Sequence, residues 1–346
     1  MEANKYFANK KILFFSVRTF NLEVEIKSKL EELGAQVIYY DERPANNNFI
    51  KGIIRIKRSL IQKKIDEYYK KILINTKNIQ CDYLFVNRGE IIPAFFLEEL
   101  RNTQPNCKFI FYTWDSFNNN PYSITILKYF DRKFTFDSED AKKYNINFRP
   151  LFFLERFSNI KKSEPKQQKY DLLFFGTAHT DRYKISSIIV NFCNKNGLSA
   201  FCYYYMHGRF VYFYKKIFDR SFKQFSYKKL NFKSLTTEKI LKLYNDSNVI
   251  LDINHPAQKG LTMRTIEAIG AGKKLITTNF EIKKYSFYNP NNIYVINRKN
   301  IQLSKSFFIN NYEDIQIDKY SRLSIEGWIK CLFFETESNL WIEGLD

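Results

Sequence analysis

Glycine, proline, methionine and histidine are scarce in this chain of 346 residues, at 11, 8, 3 and 3 copies. The loop after the first apolar run, SVRTFNLE, holds no glycine, so the GxGxxG fingerprint of dinucleotide binding is missing there. No GxxxxGK[ST] phosphate loop occurs anywhere. Five cysteines (Cys81, Cys107, Cys193, Cys202, Cys331) stand far apart, form no CxxC pair and have few histidines to complete a metal site. That pattern excludes a structural zinc and fits a reducing compartment. No DxD stands at a strand end, since Asp115 is followed by Ser116 and Phe117, so no metal site is expected. No stretch approaches 18 uninterrupted apolar residues, which removes a membrane span. The first residues, MEANKYFANKKILFFSVRTF, hold too short an apolar run for a signal peptide, so a cytoplasmic protein is expected.

What is present describes a folding, strongly basic chain. Apolar residues make up 45% and charged residues 26%, a balance unlike that of disordered or collagen-like chains. The length suits two domains, each with its own core. Aromatics reach 18%, but with so much Lys, Asn and Ile this reads as coding bias as much as selection for stacking. The net charge of +19 attracts polyanions or anionic membrane surfaces. Two segments concentrate it: 51–77 holds nine Lys or Arg against Asp66 and Glu67, and 209–233 holds eight against Asp219. Both interleave apolar residues, as a solvated helix face or a membrane-surface helix does.

Along the chain, strands alternate with helices. KILFFSV, a helix over Leu22–Leu33 and AQVIYYDERP are followed by DYLFVN, IPAFFLEELRN and CKFIFYTWDS, and then by a short edge strand and helix. This alternation predicts a parallel sheet with covered faces. SNIKKSEPKQQK, residues 158–169, has the composition of a linker, and the alternation restarts after it with YDLLFFG. The expected layout is a first Rossmann-like domain over 1–157, a linker over 158–169, a second such domain over 170–318 and a C-terminal helix within 319–346 that crosses back to the first. The fold class is α/β, two Rossmann-like domains facing a central cleft.

The sharpest segment is ILDINHPAQKGLTMRTIEAIGAGKKLITTN, residues 250–279. A strand runs into a polar loop with Gly260, and a helix begins near Leu261 or Thr262, so its free N–H groups and dipole favour an anion. Arg264 in the first turn adds a guanidinium fork for phosphate. Glu267, one turn on, is placed to accept from a sugar's vicinal hydroxyls. Gly270 and Gly272 end the helix. This run resembles the nucleotide-sugar-binding segment of GT-B-type glycosyltransferases, especially bacterial enzymes of lipopolysaccharide and capsular polysaccharide synthesis. The resemblance implies that Glu267 holds the nucleotide ribose and that Gly260, Leu261 and Thr262 bind the pyrophosphate. It is close over about thirty residues and architectural elsewhere.

A second motif, YDLLFFGTAHTDRYK, opens a strand at Gly176 into another helix start with Arg182 as cation, similar to the facing phosphate loop of the same family. His179 in that loop and His255 before the anion site are candidate donor ligands or proton carriers. In the first domain, Glu90 after VNRGE and Asp115 after FYTWDS stand at strand ends, where either serves as base if transfer inverts the anomeric centre. Arg88 is an ion-pair partner for Glu90 or a ligand for an acceptor phosphate. The expected function is sugar transfer from a nucleotide-diphosphate sugar to a hydroxyl of a lipid-linked surface glycan, by an enzyme peripheral on the cytoplasmic membrane face. No separate cofactor is expected. Two other readings remain: a nucleic-acid-binding protein using its basic surface, and a glycosyltransferase-like scaffold without activity.

Overall fold

The computed structural model of the chain describes residues 5–46, 52, 54, 58–163, 168–178, 181–219, 222, 225–256, 258–335 and 341. It divides into two compact units, Met1–Pro150 with Ile325–Asp346, and Leu151–Ser324.

The first unit is built on strands β1 (Lys11–Ser16), β2 (Gln36–Asp41), β3 (Tyr83–Asn87), β4 (Lys108–Thr113), β5 (Arg132–Thr135) and β6 (Asn147–Phe148). They form one sheet in the order β2-β1-β3-β4-β5-β6, with every neighbour parallel. Central strands of such a sheet are covered on both faces, which is why KILFFS and YLFVN read as continuous apolar runs rather than alternating ones. Helices α1 (Leu22–Glu32), α2 (Gln62–Thr76), α3 (Ala94–Thr103) and α4 (Ser138–Tyr144) return the chain between strands. The order reverses at β1 and β3, and the carboxyl ends of these two strands open a crevice there.

The second unit begins with α5 (Glu155–Lys162) and carries β7 (Tyr170–Thr177), α6 (Arg182–Lys195), β8 (Ala200–Tyr205), α7 (Arg209–Phe218), β9 (Leu230–Asn231), α8 (Thr237–Asn245), β10 (Ser247–Asp252), α9 (Met263–Gly270), β11 (Lys274–Thr277), β12 (Ile293–Val295) and α10 (Ile317–Arg322). Its sheet is again parallel throughout, in the order β12-β11-β10-β7-β8-β9. The reversal lies between β7 and β10, so the loops after Thr177 and Asp252 open side by side at the switch point. Thr236 and Thr262 cap α8 and α9 by accepting from the amides of Lys239 and Thr265.

The α/β class and the two Rossmann-like sheets agree with the pattern read from the sequence. The layout differs at two boundaries. Within the expected linker over 158–169, residues to Lys162 are helical, and α5 packs on α8 and α9, with Phe157 edge-on to Tyr244 at 5.1 Å. Residues 164–167 of that segment lie outside the described residues. A charged surface sequence with one buried aromatic anchor looks like a linker in composition, and only its packing shows otherwise. The expected C-terminal segment over 319–346 is also divided: α10 ends in the second unit, and α11 (Ile325–Phe333) belongs to the first. There the indole of Trp328 meets Tyr112 and Phe85 edge-on at 4.9 and 5.9 Å.

Candidate active site

In the second unit, Asp252 ends β10 fully buried and organises the helix start that follows it. Its Oδ2 accepts from the hydroxyls of Thr262 at 2.9 Å and Thr265 at 3.0 Å, and its Oδ1 accepts from Arg264 Nη1 at 3.1 Å. The carboxylate thus holds the cap, the first turn and the guanidinium of α9 together. Arg264 also lies over the Phe175 ring at 4.7 Å. Its buried Nε has no hydrogen-bond partner among the described residues.

Arg182, the first residue of α6, joins the two halves of the crevice. Its Nε donates to the carbonyl of Ile253 at 3.0 Å, and its Nη1 donates to that of Thr177 at 3.2 Å. The loops after β10 and β7 are therefore tied by one side chain. Gly176 sits where two guanidiniums converge: a methyl group there would stand 3.3 Å from Arg182 Nη1 and 3.5 Å from Arg264 Nη2. Burial, together with the neighbouring Arg264, pulls Arg182 down to about 10.

Arg298, which follows β12, completes the cluster. Its Nη1 donates to both oxygens of Asp181 at 2.8 and 2.9 Å, and its Nη2 donates to the Asn254 carbonyl at 2.6 Å and to Thr278 Oγ1 at 3.0 Å. Three guanidiniums thus gather beside a helix N-terminus, Arg264 paired with Asp252 and Arg298 with Asp181, an arrangement of donors suited to a diphosphate. Glu267 lies one turn along α9, where its Oε2 accepts from the Tyr244 hydroxyl at 3.2 Å and its Oε1 accepts nothing among the described residues. Burial raises its pKa, against the lowering pull of Arg264, Tyr244 and Arg156.

The loop before the helix is held from behind. Asn279 Nδ2 donates to the Lys259 carbonyl at 2.9 Å, and Gln258 Nε2 donates to that of Gly260 at 3.0 Å. Leu261 is buried and anchors the loop, and His255 is exposed before it. Thus Gly176, Arg182, Leu261, Thr262, Arg264 and Glu267 belong to one neighbourhood around the switch point. His179 lies outside the described residues, as does Ala257 of the loop. Gly270 is the last residue of α9, as expected, and it also permits close packing, since a Cβ there would come within 2.4 Å of Phe153 Cγ. Gly272, at φ +61°, makes the turn into β11.

In the first unit, the candidate bases form a second polar cluster. Arg88 and Gly89 have φ of +102° and +65°, and this turn directs the amides of Gly89 and Glu90 to the Glu42 carboxylate at 2.9 and 2.6 Å. Glu42 fills its own nest of N–H groups as an anion would. Burial nevertheless pushes Glu42 up to about 8, the two amides opposing it. Glu90 is buried against Arg43 Nε at 2.5 Å and Arg88 at 3.2 Å, while Asp115 meets Arg88 at 3.1 Å and keeps a quarter of its side chain exposed. Glu90 is thus a charge partner inside the fold, with Arg43 a partner that its sequence position did not suggest. Asp115 is the more open carboxylate.

Asp252, Arg298 and Tyr244 did not emerge as site residues from the sequence. The rule that singled out Glu90 and Asp115, a carboxylate at the carboxyl end of a parallel strand, applies equally to Asp252. Arg298 carries no such signal, because its partners Asp181, Asn254 and Thr278 come from three distant loops.

No protein-family model matches the chain, and no curated protein matches it in sequence. Solved structures do match it in shape. A glycosyltransferase from Rickettsia africae aligns over 94% of this chain and 89% of its own at a TM-score of 0.52 and 14% identity. An α,α-trehalose 6-phosphate synthase from Burkholderia multivorans covers 93% and 94%, with a TM-score of 0.57 and 8% identity. The catalytic domain of starch synthase IV from Arabidopsis thaliana, bound to ADP and acarbose, covers 93% and 95% at 0.51 and 8%. The fold is GT-B-like. At these identities the likeness is one of fold.

Proposed function

We propose that the protein is a glycosyltransferase that moves a sugar from a nucleotide-diphosphate sugar to a hydroxyl of a lipid-linked surface glycan. The observation that carries this reading is the convergence of Arg182 and Arg264 on Gly176 at the β7–β10 switch point, beside the capped start of α9. In this mechanism, the diphosphate lies against the α9 N-terminus and the two guanidiniums, and Glu267 accepts from the ribose hydroxyls. As the acceptor oxygen bonds to the anomeric carbon, the bond from that carbon to the diphosphate breaks and its electron pair leaves with the phosphate. The α9 dipole and the arginines stabilise that developing charge. Where transfer inverts the anomeric carbon, a base takes the hydroxyl proton, and of the two candidates the more open Asp115 suits that role better than the buried Glu90. The acceptor binds the first unit, and the basic segments 51–77 and 209–233 hold the enzyme to anionic lipid at the cytoplasmic membrane face.

Calorimetric titration of UDP, GDP, ADP, TDP and CMP into the wild type and Glu267→Ala tests the donor site. One diphosphate binds the wild type, and Glu267→Ala loses about 1.5–3 kcal/mol, roughly 10- to 150-fold in affinity, as expected for hydrogen bonds to a charged group. Failure of all five to bind, or an unchanged Glu267→Ala, defeats the donor assignment.

A further inference from the structure

The two basic segments differ in what their helices do with apolar residues. On α2, Ile65, Tyr69 and Ile72 are buried, while Lys63, Lys64, Lys70 and Lys71 face solvent, the usual arrangement of a helix on a core. Helix α7 is turned the other way. Only Tyr212 of its ten residues is buried, while Phe210, Ile217 and Phe218 are 92%, 68% and 70% exposed, and Val211, Phe213 and Tyr214 are exposed with them. At about 100° per residue, these six side chains span one arc of roughly 160°. Arg209 and Lys215 fall at its two margins, and the helix holds no acidic residue. The opposite side is fixed to the unit: Tyr212 meets the buried Phe222 at 5.8 Å, Phe222 meets the buried Phe225 at 4.6 Å, and Lys216 Nζ donates to the Phe225 carbonyl at 3.1 Å.

We infer that α7 is a membrane-insertion surface, its aromatic arc lying in the interface of a bilayer that contains anionic lipid. The inference deepens the membrane-docking part of the proposed function and rests on it: charge brings the protein to the surface, and α7 supplies the apolar hold. Three features select a bilayer as the occupant. The cations lie at the margins of the apolar arc, where headgroups lie around an inserted helix. Tyr227, which precedes Lys228 and Lys229, meets Tyr212 at 5.2 Å, and Arg209 lies over Phe232, which precedes Lys233, so more lysines stand in the segments that touch α7 and a leaflet of negative charge complements them. The helix is only about 15 Å long, too small for the ~800 Å² per partner of a standard protein interface. Among the described residues no helix is long and apolar enough to cross a membrane, so attachment through α7 is interfacial.

The test is flotation of the full chain with phosphatidylcholine vesicles, with and without phosphatidylglycerol. The wild type is expected to float with the anionic vesicles and to keep part of that binding in high salt. Phe210→Ser/Phe213→Ser/Ile217→Ser is expected to lose about tenfold or more in partitioning while binding the same nucleotide as the wild type. Arg209→Gln/Lys215→Gln should lose only the salt-sensitive part. Phe213→Trp should add indole emission that shifts to the blue with anionic vesicles. A triple variant that floats like the wild type overturns insertion and leaves docking by charge in place. A wild type that never floats overturns both. A wild-type dimer that the triple substitution dissolves, without vesicle binding, assigns the arc to a second copy instead. If the triple variant also loses its nucleotide, the Phe213→Trp emission decides, and an unshifted spectrum overturns the inference.

Discussion

Glu267 is a carboxylate held above its ordinary pKa by burial, and it accepts from a phenol on one oxygen. If the ionised form is the one that accepts from ribose hydroxyls, affinity is full above this raised pKa and declines as pH falls through it. The decline then begins at a higher pH than for an exposed glutamate of pKa about 4.3. Glu267→Gln should bind more weakly at neutral pH and keep only the decline that the terminal phosphate, protonated at about pH 6, imposes on both proteins, because an amide neither titrates nor accepts through its nitrogen. Nucleotide titrations between about pH 5 and 8 check this, and a wild-type profile parallel to the variant's would remove Glu267 from the ribose. The residue scale also separates the carboxylates of the first unit. Glu90 lies against two guanidiniums inside the fold, so neutralising it strands buried positive charge, whereas Asp115 has one such partner and an exposed edge.

At the scale of elements, α9 depends on close packing at both ends. Its start is fixed by Thr262, Thr265 and Arg264 on Asp252, and its end by the contact of Gly270 with Phe153 and by the Tyr320 hydroxyl on the Gly270 carbonyl at 2.6 Å. Gly270→Ala places a methyl group 2.4 Å from the Phe153 ring, a clash that only movement of the ring or the helix relieves. Overpacking of this kind costs about 1–3 kcal/mol, despite alanine's better helix propensity. Urea denaturation should show a lower midpoint with an unchanged m-value. An alanine variant as stable as the wild type would mean that Phe153 yields freely. The glycine was legible in the sequence as a helix stop, but its close approach to Phe153 was not, because their separation along the chain hides the contact.

At the scale of the molecule, the first unit contains both ends of the chain. Its sheet face at Phe85 and Tyr112 is covered by Trp328, which arrives after the whole second unit has been built. Trp328→Ala should cost about 3–5 kcal/mol of the first unit's stability, since a fully buried indole is removed. Calorimetry of the full chain should then show one transition moving down, while nucleotide binding by the second unit persists well below it. A single transition that falls as a whole would show that the units unfold as one. In the proposed function the charge of +19 acts at this scale too, setting salt sensitivity and attachment to anionic lipid rather than the fold.

The sequence by itself determined the two parallel sheets, because buried strands and amphipathic helices announce themselves through local periodicity. It also determined the neighbourhood of the candidate donor site, because Gly260 to Glu267 form one continuous strand-end, loop and helix start. Tertiary structure decided what depends on distant partners: that Arg182 ties Thr177 to Ile253, that Arg298 closes on Asp181 and Asn254, and that Glu90 is enclosed by Arg43. It also decided the orientation of the two basic helices. Local spacing shows that α2 and α7 each have an apolar face, but only packing shows that the α2 face is buried and the α7 face is open, because burial is a property of what lies opposite.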